Sequence, residues 1–273
     1  MSLKGKLQFA SCSDTGRVRS HNEDAIGMDI DTGLLVLADG MGGYKAGEVA
    51  SALAVQTITS EVAANLHKAR RRRQHPGELS VETVVLRDAI VKANEVIYQT
   101  AKSQPQCEGM GTTVVACLFH DNRVSIAHVG DSRLYRLRGD RFEQVTLDHS
   151  LLQELVSRGF YTAEEARKSL NKNLVTRALG IEAAVQVDVQ EDVVLPGEIW
   201  LLCSDGLSDM VEDEDMHLAL VTFNDNLDTA AKQLVGMANA NGGRDNISVV
   251  MARALKPFPG RQGILDRFMD WFN

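Results

Sequence analysis

The chain of 273 residues carries 29 lysines and arginines against 37 aspartates and glutamates, and this net charge of −8 argues against a general nucleic-acid binder. Its apolar content suits one compact domain that needs neither disulfide nor structural zinc, and the four cysteines, Cys12, Cys107, Cys117 and Cys203, show no C-x-x-C spacing and read as buried reduced thiols. Residues 1–6 lack an apolar signal core and no apolar run approaches the ~20 residues that span a bilayer, so a cytoplasmic protein is expected.

In chain order, β-like runs over residues 8–13, 25–29 and 34–38 are followed by an alanine-rich helical pattern over 46–66 and a second helix over 80–101, with Ser80 as its N-cap. Strands return over 111–119, 124–128, 133–138 and 142–144, with turns at Asp121-Asn122 and Gly139-Asp140. Residues 148–180 are polar, with helical pieces over 150–157 and 162–169, and read as a flap inserted beside a sheet. Strands over 185–189 and 199–203, helices over 213–221 and 227–240, and a strand over 247–254 complete an α+β pattern. The run Arg70-Arg71-Arg72-Arg73 reads as a solvated loop. In the tail, residues 264–272 place apolar side chains on one helical face, which either docks back on the domain or anchors a partner.

The chemistry lies in aspartates at the ends of apolar strands: Asp39 after 34–38, Asp131 after 124–130, Asp205 after 199–204, and Asp245 just before 247–251. A carboxylate at the edge of a buried sheet is costly without a positive partner, and a shared site for divalent ions answers that cost. Asp39-Gly40 on its own reads as a hairpin turn. Ser204-Asp205-Gly206 and Gly242-Gly243-Arg244-Asp245-Asn246 repeat the theme, offering hard oxygen ligands suited to Mg²⁺ or Mn²⁺. His120, His128 and His217 have no zinc-ligand spacing and read as packing or surface residues. The segment Arg19-Ser20-His21-Asn22-Glu23-Asp24 adds two acids and an arginine whose fork suits a phosphate.

The ordered set R-x-x-N-E-D, D-G-M-G-G, G-M-G-T-T, V-G-D-S-R, S-D-G and G-G-x-D-N resembles the bacterial branch of the metal-dependent type 2C serine/threonine protein phosphatases, a similarity that covers roughly residues 7–254. The resemblance implies a four-layer α/β/β/α sandwich: a central antiparallel β-sandwich flanked by helices, with a helical flap insertion at about 148–180. The phosphatase domain would occupy 1–256 and a tail with a short amphipathic helix 257–273. It implies hydrolysis of phosphoserine and phosphothreonine in proteins by a metal-activated water, with two Mn²⁺ or Mg²⁺ ions per site and a third, weaker one.

Residue by residue, the resemblance makes Asp39 the bridging ligand, with Gly40 lending its carbonyl and Glu23 reaching the second ion. Asp205 and Asp245 complete the first ion's shell, Asp24 supports it, and Asp131 helps hold the third ion beside Asp205. Arg19 is expected to hold the substrate phosphate. Tyr44 stands where members commonly have a histidine as general acid, and an unshifted phenol with a pKa near ~10 is the poorer donor. The implied partners are phosphorylated proteins and a cognate bacterial serine/threonine kinase. A pseudo-phosphatase that only binds phosphoproteins is the alternative, and its signature would be a missing metal acid; Asp39, Asp205 and Asp245 are all present.

Overall fold

The computed structural model describes residues 3–42, 46–69, 78–162 and 174–259. The arginine run, most of the second flap helix and the amphipathic stretch of the tail lie outside them. The elements are β1 (Leu7–Asp14), β2 (Asp24–Asp29), β3 (Leu34–Met41), α1 (Ala46–Ala69), α2 (Val81–Ser103), β4 (Gly111–Thr112), β5 (Val114–His120), β6 (Arg123–Val129), β7 (Arg133–Arg138) and β8 (Arg141–Gln144). They continue with α3 (Leu151–Ser157), β9 (Asp188–Val193), β10 (Ile199–Cys203), α4 (Asp205–Ser208), α5 (Asp213–Thr222), α6 (Leu227–Ala240) and β11 (Ile247–Ala254).

Two antiparallel sheets result, ordered β1-β11-β10-β7-β8 and β2-β3-β5-β6-β9, with β4 paired to β3. The inner strands are buried on both faces, which explains their unbroken apolar runs. In β10, Ile199, Leu201 and Cys203 pack with α4, α5 and α6, while Trp200 and Leu202 face the other sheet. In β3, Leu34, Val36 and Ala38 pack with α1 and α2, while Leu35 and Leu37 line the space between the sheets. Three apolar layers therefore separate four layers of structure, as the resemblance implies. Trp200 meets Phe119 edge-on at 6.3 Å, and Phe119 meets Phe258 at 6.5 Å, so the packed chain runs on through Phe258.

The expected turn at Asp121-Asn122 joins β5 to β6 with both residues at positive φ, 46° and 57°, the twist that suits a two-residue hairpin. Two local details shift. The strand read over 185–189 forms its ladder with β6 over Asp188–Val193 instead: Val185, Val187 and Val189 do pack on the core, but the acids beyond them are held by arginines, so the edge can pair there. And the stretch after Ser204 forms the short helix α4, an element the sequence reading did not assign.

Ser80 caps α2 as anticipated, its Oγ accepting the Thr83 N–H at 3.1 Å. A carboxylate the sequence did not single out, Glu191 on β9, reinforces the cap. Its Oε1 accepts from Ser80 N and Thr83 Oγ1, each at 2.6 Å, and its Oε2 from Arg123 Nη2 at 2.8 Å. Burial alone would raise this carboxyl, but the donors outweigh it and carry the group from 4.5 to about 2. The stabilisation is therefore present above 4.5 and lost as pH falls through about 2. We expect Glu191→Gln to cost about 1–3 kcal/mol at pH 7, with the difference closing below pH 4.5; urea unfolding across that range measures it.

Candidate functional site

The antiparallel registers bring one end of every strand that matters to a common edge. Cys203 at the end of β10 pairs with Val249 near the start of β11 and with Arg133 at the start of β7. In the other sheet Val114 pairs with Val129, and Asp24 with Asp39. By alternation Asp39 follows Leu35 and Leu37, so its side chain belongs to the face between the sheets, at the open end of the sandwich. Asp39 and Gly40 lie within β3, not in a turn, because Gly40 and Met41 go on to pair with Thr112 and Gly111.

Six predicted acids meet at this edge. Asp39 is pushed well above the usual carboxylate range by burial, then by the charges of Asp24, Asp205, Asp131 and Asp245. Asp205 is raised in the same way, by burial and then by Asp131, Asp245, Asp209 and Asp24. Asp24 is raised to about 6 by burial, against a 2.9 Å hydrogen bond from Ser204 Oγ to its Oδ2. Asp131 is raised to about 6 by burial and by Asp148. Glu23 is raised by burial, with Arg19 working the other way. The Arg19 guanidinium reaches the cluster, its Nη2 donating to Asp245 Oδ2 at 2.6 Å. The arginine expected to meet a phosphate thus sits beside a predicted ligand, drawn there by the acids.

The backbone around these acids is fastened from several sides. Thr113 N and Thr112 Oγ1 donate to Asp39 O at 2.9 and 2.8 Å. Asn246 Oδ1 accepts Glu23 N–H at 2.7 Å, while its Nδ2 donates to Thr15 O and His21 O. Two glycines are required by space alone. A Cβ on Gly40 would stand 2.2 Å from Gly47 O and 2.6 Å from Glu23 O, and one on Gly206 2.0 Å from Asn246 O.

A gathering of like charge at a protein edge requires positive counter-charge. Asp24 Oδ1 and Asp205 Oδ1 are buried and have no hydrogen-bond partner among the described residues. The donor set is all oxygen, which fits hard divalent cations. The sequence reading missed Asp209 and Asn246. Asp209 follows Asp205 by four residues, a helical spacing that goes unseen while no helix is assigned there, and it bears on both Asp131 and Asp205. Asn246 stood within a quoted motif but shows its use only through its distant partners. Tyr44 lies outside the described residues.

The histidines named in the sequence each have a neighbour, and His128 with His149 and Asp188, like His120 with Glu82 and Asp121, brings ligand atoms close enough to hold an ion. His128 stacks on His149 at 4.6 Å and donates to Leu147 O, His120 bonds Ser125 Oγ, and His217 stacks on Phe142. His149 accepts Gly130 N–H and lies 3.2 Å from Asp188, which ties the base of the flap to the Asp131 loop. Both stems of the flap segment lie side by side, with Leu151 N bonded to Leu174 O and Thr176 N to His149 O.

Residues 15–239 match the family model for protein phosphatase 2C. The chain is 40% identical over 248 residues to the serine/threonine protein phosphatase PstP of Mycobacterium tuberculosis, covering 90% of this chain; it spans 45% of that relative's length. It is 37% identical over 244 residues to the serine/threonine phosphatase Stp of Listeria monocytogenes, covering 88% of this chain and 92% of that one. Among solved structures, that of Mycobacterium tuberculosis PstP/Ppp is similar at a TM-score of 0.79 and 39% identity, covering 92% of this chain and 99% of that one. The catalytic domain of PstP in complex with two manganese ions is similar at 0.74 and 38% identity, with the same coverages of 92% and 99%.

Proposed function

Because the chain belongs to the protein phosphatase 2C family, we propose that it hydrolyses phosphoserine and phosphothreonine esters in proteins, using Mn²⁺ or Mg²⁺ held by its clustered acids. The observation that carries this reading is the meeting of Glu23, Asp24, Asp39, Asp131, Asp205 and Asp245 at one edge, with buried carboxylate oxygens left without a partner. Asp39, Asp205, Asp245, Glu23 and the Gly40 carbonyl would hold the ions, supplying only hard oxygen donors. Asp24 supports the set, and Asp131 with Asp205 would hold a third ion.

Bound divalent ions supply Lewis acidity to a water and to the phosphoryl oxygens. The chain's own residues do the rest. Arg19, on the rim beside Asp245, would take two phosphate oxygens with its planar fork. Three nucleophilic side chains beside the acids are held back. Burial pushes the Cys203 thiol up to about 12, Ser204 donates to Asp24, and Ser132 is bonded to Thr113. Water is thus the attacking group and inorganic phosphate the direct product. Tyr44 is the proposed proton donor to the leaving oxygen. A phenol that titrates near ~10 helps an alkoxide poorly at neutral pH, so aryl phosphates should turn over faster than phosphopeptides.

Phosphopeptide hydrolysis with and without Mn²⁺ tests the proposal. We expect phosphate release to depend on the ion, with p-nitrophenyl phosphate the faster substrate. Binding of the phosphopeptide without any ion-dependent release would favour the pseudo-phosphatase reading. The natural substrates would be proteins phosphorylated by a bacterial serine/threonine kinase that this enzyme opposes, in the cytoplasm. No helix of the described residues is long and apolar enough to cross a membrane.

A further inference from the structure

The rim of the acidic cleft is basic although the chain carries a net charge of −8. Two loops make this rim, and they are zipped together by backbone contacts. Arg17 N donates to Gly243 O at 2.7 Å, and Asn246 Nδ2 donates to Thr15 O at 3.0 Å and His21 O at 2.8 Å. Gly16 approaches so closely that a Cβ there would stand 2.2 Å from Asp245 O. The rim is therefore fixed, and its side chains have defined starting points.

Two of those side chains are arginines with no part in the phosphate chemistry. The Arg17 Cγ lies 2.8 Å from where a Cβ of Gly243 would stand, and the Arg244 Cγ 3.8 Å from that of Gly242. Their stems thus rest on consecutive glycines, immediately before the Asp245 that carries Arg19. Both residues are exposed, and neither has an ion-pair partner among the described residues. The acid near Arg17, Asp14, is already engaged: it accepts from Asn239 Nδ2 at 3.1 Å and from Gly16 N at 2.9 Å. Exposed Val18, between Arg17 and Arg19, completes the lip.

We propose that Arg17 and Arg244 are specificity-determining residues that favour phosphorylated protein segments carrying a second anionic side chain, carboxylate or phosphate, within a few residues of the phosphoserine or phosphothreonine. This rests on the phosphatase reading above. With one guanidinium beside the scissile phosphate, two more on the adjoining turn meet whatever flanks it. An anion there is attracted and a lysine repelled, in either direction along the bound segment.

The test uses the full chain with Mn²⁺ and a set of phosphopeptides in which glutamate, a second phosphoserine or glutamine is placed in turn at each of three positions on either side. At low salt the wild type should favour the best acid-flanked and doubly phosphorylated peptides over the glutamine peptide by about fivefold or more in kcat/KM, each exposed arginine contributing up to about fivefold. The ratio should shrink at 0.5 M salt, where such charges are screened. Arg17→Gln with Arg244→Gln should bring it near unity, and the two glutamate substitutions should invert it. A wild-type ratio within twofold of unity, or a preference that survives both substitutions, overturns the proposal. Should the double variant fail to fold, the salt dependence of the wild-type ratio decides alone. Absence of ion-dependent release from any peptide overturns the phosphatase reading and this inference with it; release without preference overturns the inference only.

Discussion

Replacing Asp39 with asparagine is expected to stop phosphopeptide hydrolysis and, without divalent ions, to make the chain harder to melt. The two effects share one cause. Asp39 sits where the fields of Asp24, Asp205, Asp131 and Asp245 converge, so it is the best placed of the acids to bridge cations and the worst placed in their absence. With Asp39 holding the ions as proposed, its loss removes several kcal/mol of transition-state stabilisation, so activity should fall by at least about a thousandfold. Asparagine keeps the shape and removes a buried like charge. The gain in stability at pH 8 without ions should be about 1 kcal/mol or more, roughly 2–4 °C in Tm. Such an exchange of activity for stability is expected where function requires repelling groups. Retention of a tenth of the activity would remove Asp39 from the ion site; an unchanged or lower Tm without ions would show that the acids do not repel one another.

Acidity should act in opposite directions on the ion-free and the ion-loaded chain. Asp24 and Asp131 are each raised from 3.8 to about 6, chiefly by burial. A carboxyl whose pKa is higher in the folded state contributes stability that is fully present below 3.8 and lost as pH rises through about 6. The ion-free Tm should therefore decline between pH 5 and pH 7, a range in which Glu191, lowered to about 2, does not titrate. Cations bind the deprotonated acids, so the rise in Tm on adding Mn²⁺ should grow over the same interval, and the stabilisation should reach about 2.7 kcal/mol once the ion is at a hundred times its Kd. Thermal melts with EDTA or excess Mn²⁺ from pH 5 to pH 8 measure both. An ion-induced shift that does not change with pH would break the link between these acids and the ions.

Much of the fold was legible because the strands are buried on both faces and the helices on one. The runs at 133–138, 199–203 and 247–254 and the helix at 227–240 appear where composition and periodicity put them. The acids were legible for a related reason: a charge at the end of an apolar run stands out. What escaped depends on partners far away in sequence. The β9 ladder was displaced because its acids are bound by Arg123 and Arg136, which no local pattern reveals. Glu191 looks like any edge-strand glutamate until Ser80 and Thr83 are found against it. Asp209 was hidden because the short helix it follows had not been assigned, and Asn246 by the fact that its work is done on Thr15, His21 and Glu23.

The tight approaches at Gly40 and Gly206 bear on how defunct relatives should be recognised. An inventory of ligands counts only what is present, yet the cradle also depends on two positions where nothing protrudes: the gaps there, 2.2 Å to Gly47 O and 2.0 Å to Asn246 O, admit no methyl group. A homologue with every acid intact but alanine at either place would pass that inventory while its strand and loop were wedged apart. Vacant volume is heritable equipment in this architecture, and its loss can silence the chain as surely as losing a charge.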